Sequence, residues 1–210
     1  VSTPMIKQPN PTLKHNQDWS EADLEAMSAD FIPATGLQPD RNQKPSYDSD
    51  YAHYTIGGTN VADRDYFRFA WRKMAATTGY RTLYPSLLPK RAAISGAAIS
   101  GTALSNAEDT VLAGAALSSL LSDFLIRATG VANIYAQTVE GVPFASTKEL
   151  KPIALEKYLR LNCLTEAYAP LWEELVGEPW DVDTPLRKDE ERRAAQVEID
   201  AIVALSLGVT

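Results

Sequence analysis

Apolar residues recur at helical spacing from residue 106 to residue 127, and they cover well over half of a helix circumference. Asn106, or Ser105 before it, can accept hydrogen bonds from the first-turn amides of this helix. Gly130 is the type of residue that commonly follows the C-terminal end of a helix. A helix with so much apolar surface is buried. The pattern therefore predicts one long, buried central helix. Its apolar positions are Val111, Leu112, Ala115, Ala116, Leu117, Leu120, Leu121, Phe124 and Leu125.

Alternating patterns on either side of this helix predict short extended segments. Residues 51–59 form a candidate strand that ends in a Gly57-Gly58 turn, and residues 92–104 are rich in small residues that suit strands or tight turns. After the helix, residues 129–144 alternate in the same way and close at a glycine and a proline. These segments predict a small sheet beside the central helix.

Residues 66–72 alternate aromatic and basic side chains. As a strand, this stretch buries Phe67, Phe69 and Trp71 and exposes Arg68 and Arg72, whereas a helix would spread the aromatic residues around its surface. Residues 81–88 predict a second strand, and residues 77–80 suit the turn between the two. The pattern thus predicts an antiparallel pair that presents several arginines together.

The ends of the chain differ in character. Residues 1–16 are rich in proline and predict an extended arm, and Trp19 to Met27 predicts a short helix. Residues 148–161, 164–176 and 189–205 have apolar positions at helical spacing. The sequence therefore predicts an α+β fold, with a mixed small sheet, a long buried central helix and a helical C-terminal part. We expect an arm, short helix and loop over 1–60, a core over 61–147, and a helical part over 148–210 that packs on this core.

The formal net charge is −7, which argues against a simple nucleic-acid binder. The charge is unevenly distributed, because residues 61–105 carry seven Lys or Arg against two Asp or Glu. The net charges of residues 1–60, 106–160 and 161–210 are −4, −1 and −7. Any surface that faces phosphates is therefore local, and a solvated face of a mixed-charge domain explains the basic block equally well.

The remaining composition narrows the possible chemistry. The single cysteine, Cys163, excludes an internal disulfide and a cysteine-based zinc cluster, and its apolar neighbours predict that it is buried. No cluster of Cys, His and carboxylates has metal-ligand spacing, and the sequence shows no signal peptide and no apolar run of the roughly 20 residues that a membrane helix needs. We expect a reducing, cytoplasmic location, no metal and no membrane.

Several short motifs resemble the target-recognition region of large fused type IIG restriction–modification enzymes and related phage-defence DNA adenine-N6 methyltransferases. In that family, a helix with serine, leucine, aspartate and arginine leads to a glycine turn and a strand ending near a proline. The matching stretches, in order, are 69–72, 81–82, 88–89, 117–127, 134–135, 142–144, 185–187 and 189–193. Together they span roughly Phe67 to Leu207, and their order and spacing carry the resemblance.

The resemblance implies a bacterial fragment that holds double-stranded DNA while the methyltransferase domain of the parent protein flips and methylates adenine. S-adenosylmethionine is expected in that separate catalytic domain, because this chain lacks both the glycine-rich cofactor loop and the Asn-Pro-Pro-aromatic loop. No catalytic residue and no nuclease carboxylate–lysine cluster is predicted. The candidate DNA-binding residues are Arg64, Arg68, Arg72, Lys73, Arg81, Lys90, Arg91, Asn133 and Tyr135.

Two other interpretations stay open. The chain can be a structural or protein-interaction domain in which the acidic C-terminal part packs on another subunit and the basic hairpin is incidental. It can also be an enzyme of a class that these motifs do not identify.

Overall fold

The computed structural model describes residues 7–9, 18–33, 40, 42, 45, 53–75, 78–94, 99–143 and 148–209. It confirms the α+β fold. The strands are β1 (Lys7–Pro9), β2 (Trp19–Glu21), β3 (His53–Ile56), β4 (Thr59–Ala62), β5 (Arg68–Arg72), β6 (Pro85–Leu88) and β7 (Ile99–Thr102). The helices are α1 (Ala107–Leu117), α2 (Leu120–Ala128), α3 (Ala136–Glu140), α4 (Lys151–Asn162), α5 (Ala169–Val176) and α6 (Asp189–Ser206).

The strands form two antiparallel hairpins, β1–β2 and β3–β4, and a three-stranded antiparallel sheet in the order β6-β5-β7. The β3–β4 hairpin turns at Gly57-Gly58, as predicted, and both glycines have positive φ. Strand β5 is central because it pairs with β6 on one side and β7 on the other. The predicted pairing of residues 66–72 with residues before Pro89 is confirmed, although β6 begins at Pro85 instead of Arg81.

Helix α1 packs between this sheet and the C-terminal helices, and it is the buried central helix that the apolar pattern predicted. Val111, Leu112 and Ala115 are buried, and Asn106 caps the helix by accepting a 2.7 Å hydrogen bond from the Asp109 amide. The helix therefore begins directly after the Asn106 cap, where local chemistry indicated. The three predicted C-terminal helices are also confirmed, and Pro170 lies in the first turn of α5.

The prediction of a single helix from residue 106 to 127 is wrong, because the chain bends by 67° between α1 and α2. Serine side chains compete with the helical ladder at this point. The Ser119 hydroxyl accepts from the Ser122 amide at 3.2 Å and so caps α2, and the Ser122 hydroxyl donates to the Ala116 carbonyl at 2.7 Å. The apolar periodicity runs through the bend, which explains why it indicated one helix.

The bend exposes part of the apolar stripe that was predicted to be core. Leu120 and Phe124 are 56% and 64% exposed, whereas Ile126 on the opposite side of α2 is 1% exposed. We expect that Leu120→Ala and Phe124→Ala each change the free energy of unfolding by less than about 1 kcal/mol. The matched variant Ile126→Ala should cost about 2–5 kcal/mol, because it empties a buried site. Urea denaturation of the three variants checks this prediction, and equal losses at all three positions would contradict it.

Two further local predictions need correction. Trp19 to Met27 was predicted as a helix, but Trp19–Glu21 is strand β2, and the Asp23 carboxylate accepts from the amides of Glu25 and Ala26 to form a turn. Residues 129–144 were predicted to be extended throughout, but they include the short helix α3. Most of the predicted arm at 1–16 lies outside the described residues.

Helices α1 and α4 approach closely at Gly114, where a Cβ atom would lie 2.6 Å from Cε1 of Tyr158. Tyr158 is fully buried, and burial raises the pKa of its phenol. Gly114→Ala should therefore destabilise the fold by about 1–3 kcal/mol through overpacking, although alanine favours helices over glycine by about 1 kcal/mol.

Gly141→Ala is the matched control, because a Cβ atom there would lie no nearer than 3.5 Å to its neighbours. We expect that variant to keep or slightly raise the wild-type stability. Thermal unfolding of both variants distinguishes a packing cost at the helix crossing from a general effect of the added methyl group.

Among the described residues, no single helix is both long and apolar enough to cross a membrane, and only the bent pair α1 and α2 reaches that length and composition jointly.

Candidate nucleic-acid interface

Arg68 was predicted to be exposed on β5, but its side chain is completely buried. Its Nη1 donates to Oδ2 of Asp63 at 3.0 Å, and its Nη2 donates to the Ala92 carbonyl. Asp63 lies in the short 3₁₀ turn that precedes β5, and Tyr54 of β3 is close to the same pair. Desolvation, and after it the negative charge of Asp63, raise the pKa of Tyr54. Arg68 therefore acts inside the fold and does not reach a ligand.

Arg81 is also engaged within the chain. Its Nη2 lies 3.1 Å from Oδ2 of Asp200 on α6, and its Nη1 donates to the Ser118 carbonyl at 3.3 Å. The Asp200 carboxylate also accepts from the Leu120 amide at 2.7 Å. Arg81 thus ties the segment before β6 to the bend between α1 and α2 and to the last helix. Arg81 precedes β6 and therefore does not pair with β5 across the sheet.

Five exposed or partly exposed residues lie at the far end of β5 and on the segment paired with its continuation, and we call them the composite surface. They are Arg72, Lys73, Met74, Asn133 and Tyr135. Beyond β5, the backbone pairs antiparallel with the segment that follows α2, with a bridge between Met74 and Asn133. The Ile134 amide donates to the Lys73 carbonyl at 2.6 Å, so the two segments are held directly beside each other.

Contacts beneath the composite surface fix its geometry. The indole Nε1 of the buried Trp71 donates to the Ile134 carbonyl at 3.0 Å. On the outer side, Nζ of Lys73 lies 5.4 Å from the ring centroid of Tyr135, within cation–π range. Tyr135 and Met74 nevertheless remain 51% and 53% exposed. An ammonium, an amide, a thioether and a phenol are therefore presented on two adjacent backbone segments, next to Arg72 at the end of β5.

Three other predicted residues gather at the opposite end of β5. The Arg91 amide donates to the Arg64 carbonyl at 2.6 Å, which joins the 3₁₀ turn before β5 to the turn after β6. Nζ of Lys90 lies 5.2 Å from the ring centroid of Phe67. Lys90 and Arg91 are exposed, and Arg64 is half-buried. We call residues 89–92 the basic turn.

The sequence-predicted residues therefore divide into three groups. The structure brings Lys73 together with Asn133 and Tyr135, which lie about sixty residues further along the chain, and Arg72 directly precedes Lys73. Arg64, Lys90 and Arg91 lie at the other end of the strand, and Arg68 and Arg81 hold the fold together. Sequence reasoning missed Met74, whose only signal is an apolar residue directly after two basic ones.

Other features of the described residues offer less chemistry. A cleft of about 460 Å³ between α4 and α5 is lined by Glu108, Glu156, Glu174 and apolar residues. No group of three or more His, Cys, Asp or Glu side chains in the described part of the chain is placed to hold a metal ion. Cys163 is buried, as predicted, and burial raises the pKa of its thiol.

Comparisons with known proteins found no matching family model, no matching curated protein and no matching solved structure.

Proposed function

We propose that the chain is a DNA target-recognition domain, and that the composite surface is where it contacts double-stranded DNA. The observation that carries this proposal is the pairing of residues 73–75 with residues 132–134. That pairing places Lys73 beside an amide and a phenol, and Arg72 directly precedes Lys73 on the same strand. Catalysis, with S-adenosylmethionine, would belong to the methyltransferase domain of a cytoplasmic restriction–modification or phage-defence enzyme.

Each side chain of the composite surface has a chemical role in this proposal. Arg72 can hold a phosphate or a guanine edge with its two-pronged guanidinium, and Lys73 can neutralise a phosphate. The Asn133 amide can pair with an adenine edge in the major groove, since asparagine supplies both a donor and an acceptor. Tyr135 adds a ring and a hydroxyl beside them. Groups that can bind phosphate and groups that can read bases thus belong to one surface.

The dimensions of β5 support the same proposal. A strand of five residues separates its ends by about 14 Å, which is comparable to the major-groove width of about 12 Å. The composite surface lies at one end of this strand, and the basic turn lies at the other. The cations of both belong to the block of residues 61–105 that carries positive net charge in an acidic chain.

We expect the chain to bind a labelled duplex weakly, with dissociation constants of about 10⁻⁴ to 10⁻⁶ M, and less tightly as salt rises. Arg72→Ala with Lys73→Ala should flatten the salt dependence, because fewer counterions are released on binding. Fluorescence anisotropy at several salt concentrations measures this.

The matched control is Lys188→Ala with Arg193→Ala, which removes two exposed cations from the acidic C-terminal part. Arg192 is unsuitable as a control, because it is buried and donates to the Leu161 and Leu186 carbonyls. Burial lowers the pKa of Arg192 to about 10. If both double variants alter the salt dependence equally, the composite surface is not the DNA contact.

A second candidate function is that of a non-catalytic protein-interaction domain, and the exposed stripe on α2 favours it. Leu120 and Phe124 lie one helical turn apart and are more than half exposed. This candidate predicts no salt-dependent duplex binding. It also predicts that Leu120→Ser with Phe124→Ser abolishes association with the methyltransferase domain of the parent protein, measured by calorimetric titration, while Arg72→Ala with Lys73→Ala leaves it intact.

A further inference from the structure

The basic turn is held in place from two sides. From below, the buried Arg68 guanidinium donates to the Ala92 carbonyl while it remains paired with Asp63. From the side, the Arg64 carbonyl accepts the Arg91 amide at 2.6 Å. A buried charge pair is a costly way to position a surface turn, because both charged groups lose their hydration. The fold therefore fixes the position of these four residues firmly.

The backbone at Arg91 is the second observation. Its φ is +67°, and Arg91 is the only non-glycine residue with positive φ in the part of the chain that the structure describes. This left-handed conformation disfavours a residue with a Cβ atom, and glycine adopts it readily. A long cationic side chain therefore occupies a position for which the backbone prefers glycine. Strained backbone positions of this kind cluster at functional sites.

The chemistry of the turn separates it from the composite surface. Its exposed side chains, Lys90 and Arg91, are both cations, and no amide or phenol lies among residues 89–92. Cationic side chains can hold phosphate, which is the same at every base pair, and a contact to phosphate carries no sequence information. Lys90 is steadied by the Phe67 ring beneath it, which restricts the ammonium without neutralising it.

We propose that the basic turn is a sequence-independent contact for the phosphate backbone of duplex DNA, separate from the base-reading composite surface. This proposal rests on the proposed function. It assigns the two ends of β5 different tasks: Lys90 and Arg91 contact phosphate alone, whereas the composite surface adds base contacts to the phosphate contacts of Arg72 and Lys73.

The test uses the full chain and a fluorescently labelled 30-base-pair duplex of arbitrary sequence. Arg91→Gly removes the side-chain charge and the strain of the positive φ, so we expect a melting temperature no lower than that of the wild type. The plot of log affinity against log salt should become less steep by about 0.9, the value for one phosphate contact. Lys90→Ala with Arg91→Gly should reduce the slope by about twice that amount. Lys188→Ala with Arg193→Ala should leave it unchanged.

The outcomes separate this proposal from the proposed function. If the slope is unchanged in the turn variants while Arg72→Ala with Lys73→Ala flattens it, the basic turn is not a phosphate contact, and the DNA-binding domain stands. If the wild type shows no salt-dependent binding, both proposals fail. If Arg91→Gly lowers the melting temperature, the strain argument is wrong. Lys90→Ala, which leaves the Arg91 backbone untouched, then decides whether the turn contacts phosphate.

Discussion

Arg68→Met should lower the free energy of unfolding by about 3–5 kcal/mol, because it leaves the Asp63 carboxylate buried without its partner. Asp63 is 4% exposed, and its second oxygen has no hydrogen-bond partner in the described part of the chain. The measurement is chemical denaturation at neutral pH. Arg72→Met on the same strand is the control, since that side chain is exposed and its replacement should cost no more than about 0.5 kcal/mol.

The double variant Arg68→Met with Asp63→Leu sharpens this test. Replacing both charges of a buried pair with apolar groups often recovers the stability that one replacement loses. We therefore expect the double variant to be at least about 2 kcal/mol more stable than Arg68→Met alone. A double variant that is as unstable as the single one would show that the Ala92 contact, and not the unpaired carboxylate, sets the loss.

Asp123→Ala should be comparably destabilising. Its Oδ1 accepts from the Thr82 amide at 2.5 Å and the Leu83 amide at 2.8 Å, and the carboxylate is almost completely buried. A hydrogen bond to a charged group contributes about 1.5–3 kcal/mol, so the loss of two should cost about 3–5 kcal/mol. Denaturant unfolding measures this cost.

Glu156→Gln serves as the comparison for Asp123→Ala. Glu156 forms a 3.9 Å ion pair with Arg160 on an exposed helix face, and such pairs contribute little. We expect a change within about 0.5 kcal/mol. If Asp123→Ala proved equally mild, the segment before β6 would have to be held by contacts other than the carboxylate.

The fold was largely predictable where one periodicity acts over many residues. Helix α6 and the buried aromatic residues of β5 follow directly from their spacing. The bend after Leu117 was not predictable from apolar spacing, because the serines that cause it are compatible with a helix until their hydroxyls find backbone partners. The sequence pattern therefore predicted the presence of helices and strands better than the residues at which they begin and end.

The sequence predicted most of the residues of the candidate site, but not how they are grouped in space. Alternation along a strand correctly indicated that Arg72 is exposed. It gave the same result for Arg68, but Arg68 is buried because it pairs with Asp63, five residues earlier. The meeting of Lys73 with Tyr135 depends on a pairing across about sixty residues, and no local pattern encodes it. Long-range pairing thus decides which residues form a surface.

That long-range pairing also has a consequence for the order of folding events. Closing a loop of about sixty residues carries an entropic cost that contacts between neighbours avoid, so pairings of this kind form slowly. The edge that joins Met74 to Asn133 therefore forms only once α1 and α2 connect the two segments in space. The amide of Ile134, bonded to the Lys73 carbonyl, should acquire protection from hydrogen exchange in a late kinetic phase. On refolding, the local turns of α1 and α2 should therefore form before the edge that we propose as the DNA contact.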